Sequence, residues 1–446
     1  MGVLCDLPDE LFANIVRFLN IIRSYETQST AFKDKNLEKT RQCENSIRQQ
    51  TLHALSLTSQ RLRRVSLPLL YSGSVTSATQ SGLRSLQLLH RTLTNPDYAL
   101  GQPKRLCEHL QYFENRLADH KGNSLQDDEE FQQGPVKIYF QLLADLVMLA
   151  PNIEQINIVS LEYDDVSFWT HVIDAPGERH FNSPSTLKYL ITQIHAGPTS
   201  PDISVSEQSI QHLTSYPMLQ EFRMSRAITQ RAGSLPLVPA KSLHICRLDL
   251  TENSLDIEDV TDLLLACNSV RHFRCDWTFD SAVNVDPSTL HNALLAHANT
   301  LETLSLDWRE VAFLLSHDAN VRLLGSLQPL KVLKSLRISE LGFFSTNRPI
   351  LQFPDMVLDR PLSALLPKSL EHMELLLEAT PHPFQHDRLE KTMCLQSLAD
   401  DCKSSLPHLD ALCIKVIGLD KLSVVALTDA FERAGVDLHV HIKPEN

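Results

Sequence analysis

Histidine, cysteine and acidic side chains at ligand-like spacings mark the places where this chain could do chemistry. His382 and His386 stand four apart in PHPFQH, a separation that would turn two imidazoles toward one zinc ion on a helix. Pro381 and Pro383 oppose the regular helix that such a site needs. Cys267, His272 and Cys275 are close in sequence, yet Cys267 and Cys275 occupy positions of an apolar pattern and read as small buried thiols. His439 and His441 share one face of a final strand and read as a surface pair. The acidic run from Asp127 to Glu130 reads as a solvated loop rather than a cation site. G-x-G-x-x-G, G-x-x-x-x-G-K-[ST] and G-x-S-x-G are all absent, so no phosphate cradle or nucleophile elbow is in view. The expectation is no catalytic residue, no cofactor and no metal ligand. What remains is recognition chemistry.

The whole-chain balance narrows the partner. The 446 residues exceed what one hydrophobic core usually holds, so the chain needs several domains or a stack of repeats. The formal charge is −13, and residues 1–70, with ten Lys/Arg against seven Asp/Glu, carry a surplus of three positive charges. The rest is therefore strongly acidic, which disfavours nucleic acid as a partner. Nine cysteines without a C-x-x-C pair suggest reduced thiols in the cytoplasm or nucleus. No apolar run approaches the 18 residues that a membrane span requires.

Recognition needs elements that present side chains, and the N-terminus supplies the first. LPDELFANIVRFL predicts an amphipathic helix with Asp6 as cap, Pro8 in the first turn, and Asp9 and Glu10 at the positive end of the helix dipole. Leu11, Ile15 and Leu19 recur at steps of four, with Phe12 widening the same face. A second helix is predicted over about 50–67, burying Leu52, Leu55, Leu62 and Val65. The polar stretch from about 24 to 50 reads as a charged insertion or a poorly ordered helix. Leu7-Pro8-Asp9-Glu10-Leu11, Ile15-Val16 and Phe18-Leu19, followed by Leu52 to Tyr71, resemble an F-box in the form common among fungal proteins. Tyr71 is the nearest aromatic to the place where that family often has a tryptophan. The resemblance implies a helical module that inserts apolar side chains into the adaptor subunit of a cullin–RING (SCF-type) ubiquitin ligase. By position, the contacts it implies are Leu7, Pro8, Leu11, Ile15 and Leu19.

After another helix face at Leu83, Leu86, Leu89 and Leu93 and a polar excursion at 121–135, the organisation changes. A helix of about 15 residues ends at Ala150, and Ile153-x-x-Ile156-x-Ile158 follows. This three-anchor spacing recurs from Leu187, Leu219, Ile245, Val270, Leu301, Leu333, Leu370 and Leu409. First anchors lie 25 to 39 residues apart, so the longer intervals need longer helices or insertions. The tidiest unit is ICRLDLTEN, whose Asn253 can hydrogen-bond the turn that leaves the strand. Its helix follows in DIEDVTDLLLACNSV, burying Val260, Leu263, Leu264 and Cys267; PSTLHNALLAHANT repeats the design with Leu290, Leu294 and Leu295. A helix at about 422–434 and a strand at 437–442 close the series.

These units resemble the leucine-rich-repeat superfamily. The expected fold is α/β: an F-box-like helical domain at 1–71, a helical linker and cap at 72–134, and an irregular leucine-rich-repeat solenoid at 135–446 with a concave parallel sheet and outer helices. With both resemblances together, the chain is similar to substrate receptors that hold a ligase adaptor at one end and a protein substrate on the repeat surface. A non-catalytic repeat scaffold without ligase membership is the alternative. Between anchors, side chains point away from the helices. Arg247, Asp249, Arg271, Arg274, Asp276, Ser305 and Asp307 are the candidate substrate-binding residues. Glu154, Gln155 and Asn157, then His272, Thr303, Arg337, Ser339, His372 and Glu374, project likewise. Trp277 and Trp308, just after their strands, stand either as rim anchors for a ligand or as fillers between helix and sheet.

Overall fold

The computed structural model describes residues 7–25, 35–77, 79–95, 105–116, 134–160, 185–194, 213–225, 239–278, 287–309, 324–339, 343, 361–378, 385–417 and 424–443. The chain is an α/β protein that divides into two compact units, Met1–Arg226 and Ala227–Asn446.

In the first unit, helix α1 (Asp9–Arg17) is followed by α2 (Lys35–Thr58) and α3 (Gln60–Leu70). Pro8 stands at the cap position itself and its carbonyl accepts from Phe12 N at 3.0 Å; Asp6 lies outside the described residues. Phe12 and Val16 pack with Leu52 and Leu62, and Leu19, Leu55 and Val65 close round them. The polar stretch is no loose excursion from residue 35 onward: it forms the first half of α2. Ser59 caps α3 by accepting from Leu62 N at 3.2 Å.

Parallel strands then alternate with helices: β1 (Gly73–Ser77), α4 (Gln80–Thr94), β2 (Tyr112–Arg116), α5 (Gly134–Leu149), β3 (Gln155–Ser160), β4 (Tyr189–Ile194) and β5 (Glu221–Ser225). They pair in chain order, β1 to β5. β1 and β2 were not legible, because residues 72–134 read as helical linker. Their helix-facing positions carry Ser74 and Thr76, then Phe113 and Asn115, so that only Phe113 of the four is apolar. Tyr139 of α5 reaches this polar patch, donating to Asn115 Oδ1 at 2.6 Å. The excursion at 121–135 lies outside the described residues up to 133.

The second unit continues the pattern with β6 (Arg247–Asn253), α6 (Ile257–Ala266), β7 (His272–Trp277), α7 (Pro287–Leu295), β8 (Thr303–Asp307) and β9 (Ser335–Ser339). It ends with β10 (His372–Glu378), α8 (Gln385–Ser405), β11 (Ala411–Ile417), α9 (Val424–Ala434) and β12 (Asp437–Lys443). All seven strands are parallel and pair in chain order. Every anchor of the nine predicted triplets is at most 5% exposed. A recurring main-chain contact keeps the units in step despite their unequal lengths. The carbonyl one residue after the first anchor accepts two amides from the next unit. Arg271 O takes Glu302 N at 2.8 Å and Thr303 N at 3.0 Å, and Glu302 O takes Lys334 N at 2.9 Å and Ser335 N at 3.2 Å.

Buried polar groups join neighbouring strand units, Asn253 and His297 among them. Asn253 donates to Leu250 O (3.1 Å) and Asp276 O (2.8 Å) and accepts from Leu255 N (3.2 Å), as its place after the strand implied. His297 lies between Leu264 O at 3.0 Å and Val270 N at 3.3 Å; burial lowers its pKa, so it sits there as a neutral imidazole. α9 ends on Gly435 at φ +81°, with Val436 N bonded back to Phe431 O at 2.9 Å.

Two substitutions test these supports. Asn253→Ala strands three buried backbone groups and should cost roughly 2–4 kcal/mol, read as a lower denaturant midpoint with unchanged slope. Gly435→Ala meets no steric neighbour but is forced into a left-handed backbone. It should cost only about 1 kcal/mol in the same assay.

Candidate functional site

Cys267 and Cys275 are buried, and burial pushes the Cys267 thiol up to about 12 and the Cys275 thiol well above its ordinary value. Among the described residues, no group of three His, Cys, Asp or Glu side chains is placed to hold a metal ion. Residues 381–384, and the side chain of His386, lie outside the described ones. His439 and His441 are exposed on β12, and His439 pairs with Asp437 at 3.0 Å. Among the described residues no helix is long and apolar enough to cross a membrane.

Trp277 and Trp308 are buried on the helix-bearing side and stack with ring centroids 5.5 Å apart. Trp277 Nε1 donates to Leu255 O at 3.0 Å. They are core, not rim anchors, because residues 277 and 308 continue the inward alternation of 273–275 and 304–306.

α1 has two faces. Phe12 and Val16 are 3% and 2% exposed, whereas Leu11, Ile15 and Phe18 are 52%, 47% and 80% exposed. Of the expected contacts, Pro8, Leu11 and Ile15 are exposed, while Leu7 and Leu19 are half-buried and Leu19 packs on the module's core. Phe18 was missing from that set; its position one residue before Leu19, off the four-residue ladder, hid it.

On the open side of β7–β11 the outward residues do meet. Arg337 lies at the centre, donating to Asp276 at 3.0 Å, Ser305 Oγ at 3.0 Å, Asp307 at 3.0 Å and Glu374 at 3.0 Å. Arg274 pairs with Asp276 at 2.5 Å, Arg309 with Asp307 at 2.7 Å, and Lys415 with Glu374 at 2.8 Å. Burial works to raise the Asp307 carboxyl, but Arg309 and Arg337 outweigh it and hold the pKa below its ordinary value. Four candidates, Arg274, Asp276, Ser305 and Asp307, thus share one network. Arg337, read only as an outward position, joins them. Arg247 closes on Asp249 along its own strand at 3.0 Å. Arg271 stands apart: it precedes β7, in the row of Glu302 rather than that of Asp249 and Arg274.

The open side of the first unit is different. Gln155 and Asn157, expected to face outward for a partner, are buried. The chain's own residues 20–25 lie over Gln155 and Tyr112: Gln155 Nε2 donates to Ser24 O at 2.6 Å, and Ser24 N donates to Tyr112 Oη at 3.0 Å. Arg41 of α2 pairs with the buried Glu114 at 2.7 Å. Nothing in the spacing of these residues announced that contact, since it joins positions about 130 apart in sequence.

No protein-family model matches the sequence, and no curated protein matches it.

Arg337 gives a test with a pH signature. Asp307 with a depressed pKa stabilises the fold above the unfolded carboxylate pKa of about 4, and that contribution is lost as pH falls through the folded value. Arg337→Ala weakens the depression. Its Asp307 resonance should titrate at higher pH, and its stability deficit should be full above about pH 5 and shrink below about pH 4. An unchanged Asp307 titration would remove Arg337 from the centre of the network.

Proposed function

We propose that this chain is a substrate-recognition subunit of an SCF-type cullin–RING ubiquitin ligase, with an F-box-like module at its N-terminus and a leucine-rich-repeat surface for a protein substrate. One observation carries the reading: α1 buries Phe12 and Val16 while leaving Leu11, Ile15 and Phe18 exposed together with Pro8. A short helix that spends half its apolar side chains on the solvent is a docking element in search of a partner groove. The nine parallel units with three buried anchors each support the repeat half of the reading. The charged network round Arg337 supplies a surface of mixed sign, suited to selecting a protein partner by charge pattern.

Such a receptor needs no catalytic side chain. It holds a substrate beside a ubiquitin-charged enzyme and raises the effective concentration of the reacting lysine. The network's residues already hold one another in place, so a partner that exchanges ion pairs with them orders few side chains on binding.

The deciding experiment is capture of the ligase adaptor by the full chain. Leu11→Asp with Ile15→Asp should reduce capture at least about tenfold. It should leave stability nearly unchanged, since both side chains are exposed. Phe12→Asp should instead melt the helical module. Equal capture by the Leu11/Ile15 double variant would reject the docking face. A wild-type chain that captures no adaptor would leave the alternative, a non-catalytic repeat scaffold outside any ligase.

A further inference from the structure

Residues 20–25 of the first unit are held as a receptor holds a peptide. α2 grips one edge: Asn45 accepts from Ile22 N at 2.8 Å and donates to Ile22 O at 3.1 Å. Arg41 donates to Ile22 O at 2.6 Å and Arg48 to Asn20 O at 2.7 Å. The sheet grips the other edge through outward strand side chains. Tyr112 takes the Ser24 amide, Gln155 donates to the Ser24 carbonyl, and Arg223 donates to the Tyr25 carbonyl. Side chains add selectivity. Arg23 pairs with Glu154 at 3.1 Å and lies over the Tyr112 ring at 5.7 Å. Tyr25 meets Tyr189 edge-on at 5.6 Å. Ile21 lies against Gly73, where an added Cβ would come within 2.7 Å of its Cγ2.

Most of these bonds go to main-chain groups of residues 20–25. A surface that reads backbone through side-chain amide, phenol and guanidinium groups recognises an extended peptide, and its side-chain contacts choose which one. We infer that the open side of β1–β5 is a binding site for an extended segment bearing a basic, a small and an aromatic residue in succession, and that Arg23-Ser24-Tyr25 keeps it shut in cis. An outside segment of that pattern enters only by displacing the internal copy. The inference stands on contacts within the first unit and does not rest on the ligase reading.

The site is tested by weakening the internal copy while leaving its cradle intact. In the full chain, Arg23→Glu reverses the partner of Glu154 and Ser24→Pro removes the amide given to Tyr112. In this double variant the Ile22 amide should exchange at least about tenfold faster than in the wild type, with the amides of β2 and β3 still protected. A synthetic peptide of residues 18–25 should bind the variant at least about tenfold tighter than it binds the wild type, and the same peptide carrying Ser24→Pro should bind neither. Equal affinity for both proteins would show that the internal copy closes nothing. Fast Ile22 exchange without peptide binding would show that the face is no site in its own right. Slow Ile22 exchange would show that these contacts do not hold the segment. Should the double variant lose protection in β2 and β3, Arg23→Ala alone, which removes no main-chain bond, must still rank above the wild type in peptide affinity; no difference would overturn the proposal.

Discussion

Nine of the described strand units of this protein carry three buried anchors, almost all apolar, that one unit alone cannot cover. A fully buried leucine or isoleucine contributes about 1.5–3 kcal/mol, but only when the neighbouring unit completes the enclosure. The bond that makes neighbours fit is the carbonyl that follows the first anchor. Because that one oxygen receives two amides of the next unit, the register restarts at each strand, whatever happened in the intervening helix or loop. First anchors spaced 25 to 39 residues apart therefore still give parallel strand pairing within each of the two compact units.

Once the anchors face the helices, every alternate side chain must face the other way. In β7–β11 those outward residues are acids and bases that neutralise each other laterally, three strands contributing carboxylates to Arg337. In β1–β5 the same problem has another solution. Glu114, 2% exposed, sits among Arg41, Arg116 and Tyr112, and the chain's own N-terminal segment excludes the water. Burial works against the charge on Arg41, and Glu38 and Glu114 outweigh it to raise its pKa. Burial first, then the Glu114 charge, raises that of the Tyr112 phenol. Breaking a buried set of this kind by removing one partner is costly, which fixes α2 on the sheet of its unit.

The helical module shows the same division of labour on a smaller scale. The four-residue ladder of Leu11, Ile15 and Leu19 read as one apolar face of α1 that Phe12 widens, and by resemblance as adaptor contacts. In the structure that stripe divides: Phe12 and Val16 take the core, and the ladder's first two members face out. A 3.6-residue period identifies an apolar stripe but leaves open which edge of a broad stripe meets the neighbour.

Sequence alone determined the nine triplets, the helices α5, α6, α7 and α9, the Asn253 turn and the burial of Cys267 and Cys275, because these depend on local spacing and on the cost of exposing apolar side chains. It missed β1 and β2, whose inward positions carry Ser74, and Thr76 and Asn115 beside the Tyr139 hydroxyl, in place of apolar anchors. It placed the charged outward residues without their partners: Arg337 was visible as an outward position, but its role as hub is set by three strands converging on one guanidinium. Residues 24–50 read as a charged insertion or a poorly ordered helix, because polar segments look alike whether solvated or folded over a sheet. Only the tertiary structure decided that Ser24 and Arg41 belong on β2 and β3, since hydrogen bonds between groups more than 70 residues apart leave no periodicity in the chain that makes them.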